Sequence, residues 1–371
     1  MNNCIFAADL HLQPCAWRGR ASLRGDAYYA LDQLVELSQR YGCPIVLGGD
    51  IFDSSRPDPE SAERFRRFCT HVTGIGQQVW HILGNHDASD PGWPDVLGSL
   101  RLRGHGLVNG IRFYGLDYTP RSQLRAELSK VPADSILICH LAWKELAGGA
   151  HWEGSLVDVP CRHVLSGDLH KRMMIHEPRL AFSPGSTCMQ SIDEEHEKTV
   201  LYLDTTGGAV TGRMLPLRSR PVYRLKAMTA QMLDEACVWL QTPGNRPVDA
   251  TLPQEIQQPI VQVEYDPSLP RVSERLNLSA GQGVHLFLTA RSRGNDDVVV
   301  SMSRPKVALA TLDMFATVAQ TAAPADADAL VELLRAATGS KQQVEALLKE
   351  RRAAFLKNPA LQPQPVVGQC V

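Results

Sequence analysis

The sequence predicts an α/β (α+β) core in which two sheets pack together between helices, and three observations carry that prediction. Short apolar, strand-like runs alternate with helix-like stretches over roughly the first two hundred residues. Asn109-Gly110 separates two of these runs and reads as a hairpin turn, because both turn residues tolerate positive φ, so antiparallel strands join the pattern. At 371 residues the chain is long enough for two compact domains rather than one.

The elements follow in order. Residues 4–8 form the first apolar run, Tyr28, Leu31, Leu34, Val35 and Leu37 fall at helical spacing, and residues 44–47 give a second run. Asp58-Pro59-Glu60 reads as an N-cap with proline in the first turn, ahead of an apolar stripe of Ala62, Phe65, Phe68 and Val72. Runs at 79–83, 107–114, 136–139, 163–165, 180–182 and 199–203 continue the pattern, with a further strand near 210–215. The character changes at Arg218-Ser219-Arg220-Pro221, so a domain boundary is expected near residue 218. Beyond it lie an amphipathic stretch (Met232, Leu233, Ala236, Trp239, Leu240) and strand-like runs at 260–265, 284–288 and 298–301. Residues 326–355, with Leu330, Leu333, Leu334, Val344, Leu347 and Leu348, fit a helical hairpin or one broken helix, and the tail after Pro359 is expected to be disordered.

Composition narrows the class. With 44% hydrophobic and 21% charged residues the chain is neither disordered nor fibrous. No apolar run approaches the ~20 residues of a membrane span, and Met1-Asn2-Asn3-Cys4 lacks the features of a signal peptide, so a soluble, cytoplasmic protein is expected. Nine cysteines with no Cys-x-x-Cys pair speak against a disulfide framework or a thiolate zinc site, and most are expected to be small buried hydrophobes. A net charge of −2 does not exclude nucleic acid, because an acidic metal site can cancel basic patches in the sum.

Five apolar runs each end in a polar cluster: Asp9-Leu10-His11; Gly48-Gly49-Asp50-Ile51-Phe52-Asp53; Gly84-Asn85-His86-Asp87; His140; and Gly167-Asp168-Leu169-His170. The carboxyl ends of neighbouring parallel strands share one edge, so side chains just past them can converge on one crevice. Carboxylate, amide and imidazole donors without thiolate suit two manganese, iron or zinc ions. One such cluster alone is an ordinary polar loop, and Asn85-His86-Asp87 alone could be a turn. Five at successive strand ends form a candidate site. His71, His105, His151, His163 and His285 fit no cluster and read as surface or packing residues.

In this order the clusters resemble the motifs of the calcineurin-like metallophosphoesterases, D-x-H, G-D-x-x-D, G-N-H-D, a lone His and G-H-x-H, with Asp168 where that family usually has histidine. The resemblance implies a four-layer sandwich of two mixed sheets flanked by helices, with a small α+β capping domain and C-terminal helices. It also implies one metal held by Asp9, His11, Asp50 and His170 and another held by Asp50, Asn85, His140 and Asp168. Two cations ~3.5–4 Å apart lower the pKa of a bridging water and stabilise the attacking and leaving oxygens of a displacement at phosphorus. His86 is implied as the acid or electrostatic partner of the leaving oxygen, with Asp87 orienting its imidazole. Asp168 keeps a ligand in place and shifts the preference toward harder metals, manganese first; the alternative is a weakened second site.

Gly49-Asp50-Ile51-Phe52-Asp53, the block Ser183-Pro184-Gly185-Ser186-Thr187 with Ser191, Glu194, Glu195 and Lys198, and the run from Leu215 to Val222 resemble the SbcD branch of that family. The similarity is specific over about residues 1–225 and weak beyond. It implies domains at 1–218 (nuclease), 219–305 (capping and DNA binding), 306–358 (helical, partner-binding) and 359–371 (disordered). It further implies a manganese-dependent exonuclease on duplex ends and endonuclease on single strands, serving DNA repair, recombination or degradation. In that branch the subunit is a homodimer and its C-terminal helices dock on an SbcC-like coiled-coil ATPase. Independently of the resemblance, Arg213, Arg218, Arg220, Arg224 and Lys226 lie in an acid-free stretch, and Lys171 and Arg172 follow His170 directly. Of these, Lys171, Arg172, Arg213, Arg218 and Arg220 are candidate contacts to a DNA backbone. Tyr118, Arg121, Trp143 and Trp152 are placed in loops near the clusters, as packing residues ahead of base stacking. Two other functions stay open: a phosphodiesterase or phosphatase on small substrates, and a non-catalytic scaffold on the same fold.

Overall fold

The computed structural model describes residues 2–17, 20, 22–147, 152–281 and 283–291, which lie in one compact unit. The expected strand at 298–301, the helical segment 306–358, the tail and His151 lie outside the described residues. In chain order the elements are β1 (Asn3–Ala7), α1 (Asp26–Tyr41), β2 (Ile45–Gly48), α2 (Pro59–Gly74), β3 (Val79–Ile82), α3 (Trp93–Val96), β4 (Leu100–Arg101), β5 (Gly104–Val108), β6 (Ile111–Leu116), α4 (Arg121–Leu128), β7 (Ile136–His140) and α5 (Lys144–Ala147). There follow β8 (His163–Gly167), β9 (Met173–Ile175), β10 (Leu180–Ser183), β11 (Lys198–Asp204), β12 (Thr211–Leu217), β13 (Val222–Ala227), α6 (Ala230–Gln241), α7 (Gln254–Gln257), β14 (Ile260–Tyr265), α8 (Val272–Ala280) and β15 (His285–Ala290). No helix among the described residues is long and apolar enough to cross a membrane.

Two mixed sheets of six strands form the core, in the orders β12-β11-β1-β2-β3-β4 and β5-β6-β7-β8-β10-β9. Period-two alternation builds the layers. Ile5, Ala7, Ile45 and Leu47 pack outward against Leu31, Leu34, Phe65 and Phe68 of α1 and α2. Their neighbours Cys4, Phe6, Ala8 and Val46 face inward onto Phe113, Ile136, Ile138 and Leu165 of the second sheet. The far side of that sheet, with Leu137, Cys139 and Val164, is covered by Leu124, Leu128, Trp143 and Leu146. The result is helix, sheet, sheet, helix. Local signals hold: Asp58 caps α2 by accepting the Ser61 N–H at 3.0 Å, and Asn109 (φ 46°) and Gly110 (φ 80°) turn the β5–β6 hairpin. None of the described cysteines is in a disulfide, and all of them except Cys15 are buried.

A third, all-parallel sheet, β13-β14-β15, is covered on one face by α6 and α8 around Ala227, Val261, Val263, Leu233 and Leu276. Its first strand is absent from the sequence reading, because Val222–Ala227 falls in the basic stretch, where charge masks the period. The alternation is there: Tyr223, Leu225 and Ala227 turn to the core while Arg224 and Lys226 are exposed. Arg121 opens α4 rather than lying in a loop, and Trp143 is fully buried, its Nε1–H donating to Ser166 Oγ at 3.0 Å.

One of the expected basic contacts, Arg220, is corrected by its packing. Arg220 is 3% exposed and does not face solvent. Its guanidinium pairs bidentately with Asp26 at 2.8 and 2.9 Å and donates to the carbonyls of Arg24, Glu255 and Gln258, clamping the start of α1 to the third sheet. Arg213 sits on the rings of Tyr41 and Tyr202, opposite the level of Ile5 rather than at the carboxyl edge of β1. Arg218 lies over Tyr29 and bonds Thr251, and its backbone is held by the Gln33 amide. Arg213 and Arg218 stay exposed, and Arg220 alone is withdrawn from the surface.

A buried arginine with all three guanidinium nitrogens engaged cannot be removed cheaply, because its partners stay buried. Arg220→Ala is expected to lower stability by about 3–5 kcal/mol in urea denaturation, whereas Arg218→Ala, at the surface, is expected to change it by less than about 1 kcal/mol. Equal effects would contradict the clamp.

Candidate metal centre

The five clusters come together from two sheet edges rather than one. Asp9 and His11 follow β1, Asp50 and Asp53 follow β2, and Asn85 and His86 follow β3, all in the first sheet; His140 ends β7 and Asp168 and His170 follow β8, in the second. Close approach demands absent side chains. A Cβ on Gly49 (φ 91°) would lie 2.6 Å from His140 Nδ1, and one on Gly84 would lie 2.1 Å from Asp50 Oδ1. Asp9 (φ 52°), His11 (φ 43°), Asp50 (φ 48°) and Asp168 (φ 80°) take left-handed backbone, four of the six non-glycine residues that do so among those described. Each such residue costs about 1–3 kcal/mol and persists only where its surroundings fix it. Here Asp9 N–H donates to Gly49 O, His11 N–H to Asp50 O, and Asp168 N–H to the Asp9 carboxylate at 3.0 Å.

The imidazoles are oriented from behind. His140 Nδ1 lies 2.9 Å from Gly48 O, and a carbonyl can only accept, so Nδ1 carries the hydrogen and, in the neutral imidazole that a metal requires, Nε2 presents a lone pair. That Nε2 stands 3.3 Å from Asp50 Oδ2, 3.7 Å from Asp168 Oδ1 and 3.9 Å from Asp9 Oδ1. His170 Nδ1 is backed by Glu194 at 2.9 Å, and His11 Nδ1 lies 3.3 Å from Asp53 Oδ1. Their Nε2 atoms meet at 3.1 Å, with Asp50 Oδ2 3.6 Å from that of His11. Asp9, His11 and His170 form one group of converging ligand atoms and Asp9, Asp50 and His140 another. Buried Asp9 Oδ2 and His140 Nε2 have no hydrogen-bond partner among the described residues. Lone pairs facing lone pairs in a buried place call for a cation, so these residues fit divalent metal.

One expectation changes. Asp87 does not touch the His86 ring: it is buried and accepts the backbone N–H groups of Ile51, Phe52 and Gly84 at 3.0, 3.0 and 3.1 Å, tying the β2 loop to the β3 loop. His86 is instead held by the Asp53 carbonyl, 2.7 Å from Nδ1, and its Nε2 points toward Asp50 Oδ2 at 4.0 Å. Asn85 is exposed and makes no hydrogen bond among the described residues. Asp53 and Glu194 are contributors that the sequence reading does not assign. Asp53 lies within a polar cluster, three residues from Asp50, but Glu194 is remote from His170 in sequence and nothing local announces the pairing. Lys171 and Arg172 are exposed beside the site and face Glu195 and Glu197 at 3.7 and 3.4 Å.

The charges are strongly coupled. Burial pulls the His140 pKa down, but the carboxylates of Asp50, Asp9 and Asp168 overcome it and push it up to about 10. Burial raises Asp168 to about 6, His140 opposing and Glu153, Asp9 and Asp50 adding to the rise. Burial acts against ionised Glu194 too, yet His170 and Lys198 hold its carboxyl down at about 2.

Residues 3–171 match the sequence model of the family described as calcineurin-like phosphoesterase, a span running from β1 through His170. The DNA double-strand break repair protein Mre11 of Haloferax volcanii is 29% identical over 192 residues, which are 48% of this chain and 43% of that protein's length. The chain thus spans under half of that relative. A structural comparison pairs 57% of this chain with 98% of the crystal structure of TT1561 of Thermus thermophilus, at 15% identity and a TM-score of 0.37. The family match and the His/Asp cluster together support a metal-dependent phosphoesterase of the calcineurin-like superfamily.

The proton on His140 stabilises the folded chain below about pH 6.5, and that contribution is lost as pH rises through about 10. Asp168 acts in the same sense: the folded chain holds its proton more tightly, so stability falls from about pH 4 to about 6. Metal competes with these protons, so the rise in melting temperature given by Mn2+ is expected to grow between about pH 6 and about pH 8 in scanning fluorimetry. A shrinking rise would contradict the assignment. Asp87→Ala strands three buried N–H groups and is expected to cost about 3–5 kcal/mol in urea denaturation, where an imidazole-orienting role alone would leave stability nearly unchanged.

Proposed function

We propose that this chain is a two-metal DNA nuclease of the SbcD type, an exonuclease on duplex ends and an endonuclease on single strands. The observation that carries the two-metal part is the place of Asp50, whose Oδ2 lies 3.6 Å from His11 Nε2 on one side and 3.3 Å from His140 Nε2 on the other. Asp9, His11, Asp50 and His170 would hold one ion, and Asp50, Asn85, His140 and Asp168 the other. Bound there, divalent ions would activate water and neutralise charge on the phosphoryl oxygens. Asp168 in place of an imidazole favours harder ions, Mn2+ first.

The chain's own part in the reaction falls to His86. Its Nδ1–H is committed to the Asp53 carbonyl, so its Nε2 carries a hydrogen only in the imidazolium form. With its side chain 31% exposed beside Asp50, that Nε2–H can be given to a departing oxygen. DNA as substrate is supported by the likeness to a protein named for double-strand break repair and by Lys171 and Arg172 on the loop after His170. Their acidic neighbours are surface partners, and a phosphate backbone can replace them at little cost. The same reading assigns residues 1–218 to the nuclease, 219–305 to capping, and 306–358 to an SbcC-like ATPase, in a cytoplasmic homodimer.

The full chain with Mn2+ is expected to degrade linear duplex DNA and to leave p-nitrophenyl phosphate and cyclic nucleotides nearly untouched; the reverse preference would replace this reading with a small-substrate phosphodiesterase. His86→Ala is expected to keep its metal and lose about 10²–10⁴-fold in rate, while Asp50→Ala loses both metal and activity. Elemental analysis beside the DNA assay distinguishes the two, and unchanged hydrolysis in either variant rejects the roles given.

A further inference from the structure

The two candidate poles of the site are not built alike. His140 is fully buried and backed by a carbonyl of β2, within the interlocked sheets. His170 stands on the loop after β8 and is backed by a side chain, Glu194, which itself lies on a loop before β11. The position of Glu194 is therefore the position of His170.

Two sets of contacts fix Glu194. Its Oε2 receives Lys198 Nζ at 2.7 Å and Ser186 Oγ at 3.0 Å, and Lys198, 2% exposed, also donates to Ser186 Oγ at 2.8 Å. A buried ammonium thus matches the carboxylate and anchors it to the first residue of β11. The second contact is to its backbone. Arg224, in β13 of the third sheet, donates from Nη2 to Glu194 O at 3.0 Å and to Ile192 O at 3.2 Å. A guanidinium held by two carbonyls of one loop ties that loop to whatever moves the arginine's own strand.

We infer that Glu194 is the positioning residue of His170, and that Arg224 makes the His170 pole answer to the third sheet while the His140 pole does not. The inference rests on the reading of the cluster as a metal site. An imidazole that gives its Nδ1–H to a carboxylate is held in one tautomer and one rotation, and its other nitrogen becomes a better ligand. Loss of that backing weakens binding at the ion it serves. A substrate or partner that shifts the third sheet would then loosen or tighten one ion and leave the other in place.

The test is Mn2+ titration of the full chain by calorimetry, with bound ions counted by elemental analysis. Wild type is expected to take two ions. Glu194→Ala is expected to weaken one of them about 10–100-fold and to leave the other within about twofold. Glu194→Gln keeps an acceptor without the charge and is expected to lose less; it also serves if the alanine variant, with Lys198 left unpaired, does not fold. Arg224→Ala is expected to weaken the same ion by a smaller factor, about threefold to tenfold, with the melting temperature of the metal-free protein unchanged. Equal affinities in wild type and both Glu194 variants, or equal losses at both ions, would overturn the positioning role, and an inert Arg224→Ala would overturn the link to the third sheet. Wild type that binds no Mn2+ would instead remove the metal reading on which the inference stands.

Discussion

The constraint on which the rest depends is a concentration of acceptors that protein alone does not satisfy. Two sheets are held face to face by Phe6, Val46, Ile138 and Leu165, and that packing drives the carboxyl ends of β1, β2, β7 and β8 toward one another. The residues at those ends are carboxylates and imidazoles whose lone pairs point inward. Left without a cation, the arrangement holds a proton on His140 and pushes Asp168 up to about 6, which is the response expected of buried charges that lack a counter-ion. The core supplies the geometry, and the geometry creates the demand for metal.

The same demand explains where backbone strain lies. Asp9, His11, Asp50 and Asp168 carry positive φ, and the two other described non-glycine examples are Asn109, in a hairpin, and Arg271, at a helix start. Strain of this kind turns a side chain sharply off the end of a strand, so that successive strands aim at a point between the sheets. Asp87 is the fastener: its carboxylate gathers three N–H groups from two loops that His86 also joins through Asp50 and the Asp53 carbonyl. Its contribution is to keep Asp50 and His86 adjacent, one step removed from the chemistry.

What the sequence makes legible follows from these facts. A ligand placed just past a strand is adjacent in the chain to an apolar run, so Asp9, His11, Asp50, His140, Asp168 and His170 can be read as a set. Alternation and turn chemistry likewise expose most strands of the two large sheets, but not the short edge strands β4 and β9, whose two or three residues are too few to show a period. Backing groups are hidden for a different reason. Glu194 meets His170 only because β11 returns antiparallel to β1 at the site edge, a tertiary fact with no local signature. Asp87 misleads because proximity in sequence to His86 suggests contact, whereas neighbouring residues in a turn point apart. Arg220 misleads because charge suggests surface, whereas Asp26 across the α1 junction makes burial possible.

On the nuclease reading proposed above, Asp168 bears on substrate choice through charge. On the two-ion reading, the carboxylates of Asp9, Asp50 and Asp168 offset most of the charge of two dications and leave a net positive charge of about one. An imidazole at residue 168 would leave about two. A phosphodiester carries one negative charge, whereas a phosphomonoester at neutral pH carries nearly two, so the substitution lowers the attraction for the monoester more than for the diester. Glu153, close enough to Asp168 to raise its pKa further, adds to the same bias on that side of the site. On that nuclease reading, the departure from the usual histidine keeps the second pole, and its electrostatics favour the linkages inside a polyanion over terminal phosphates.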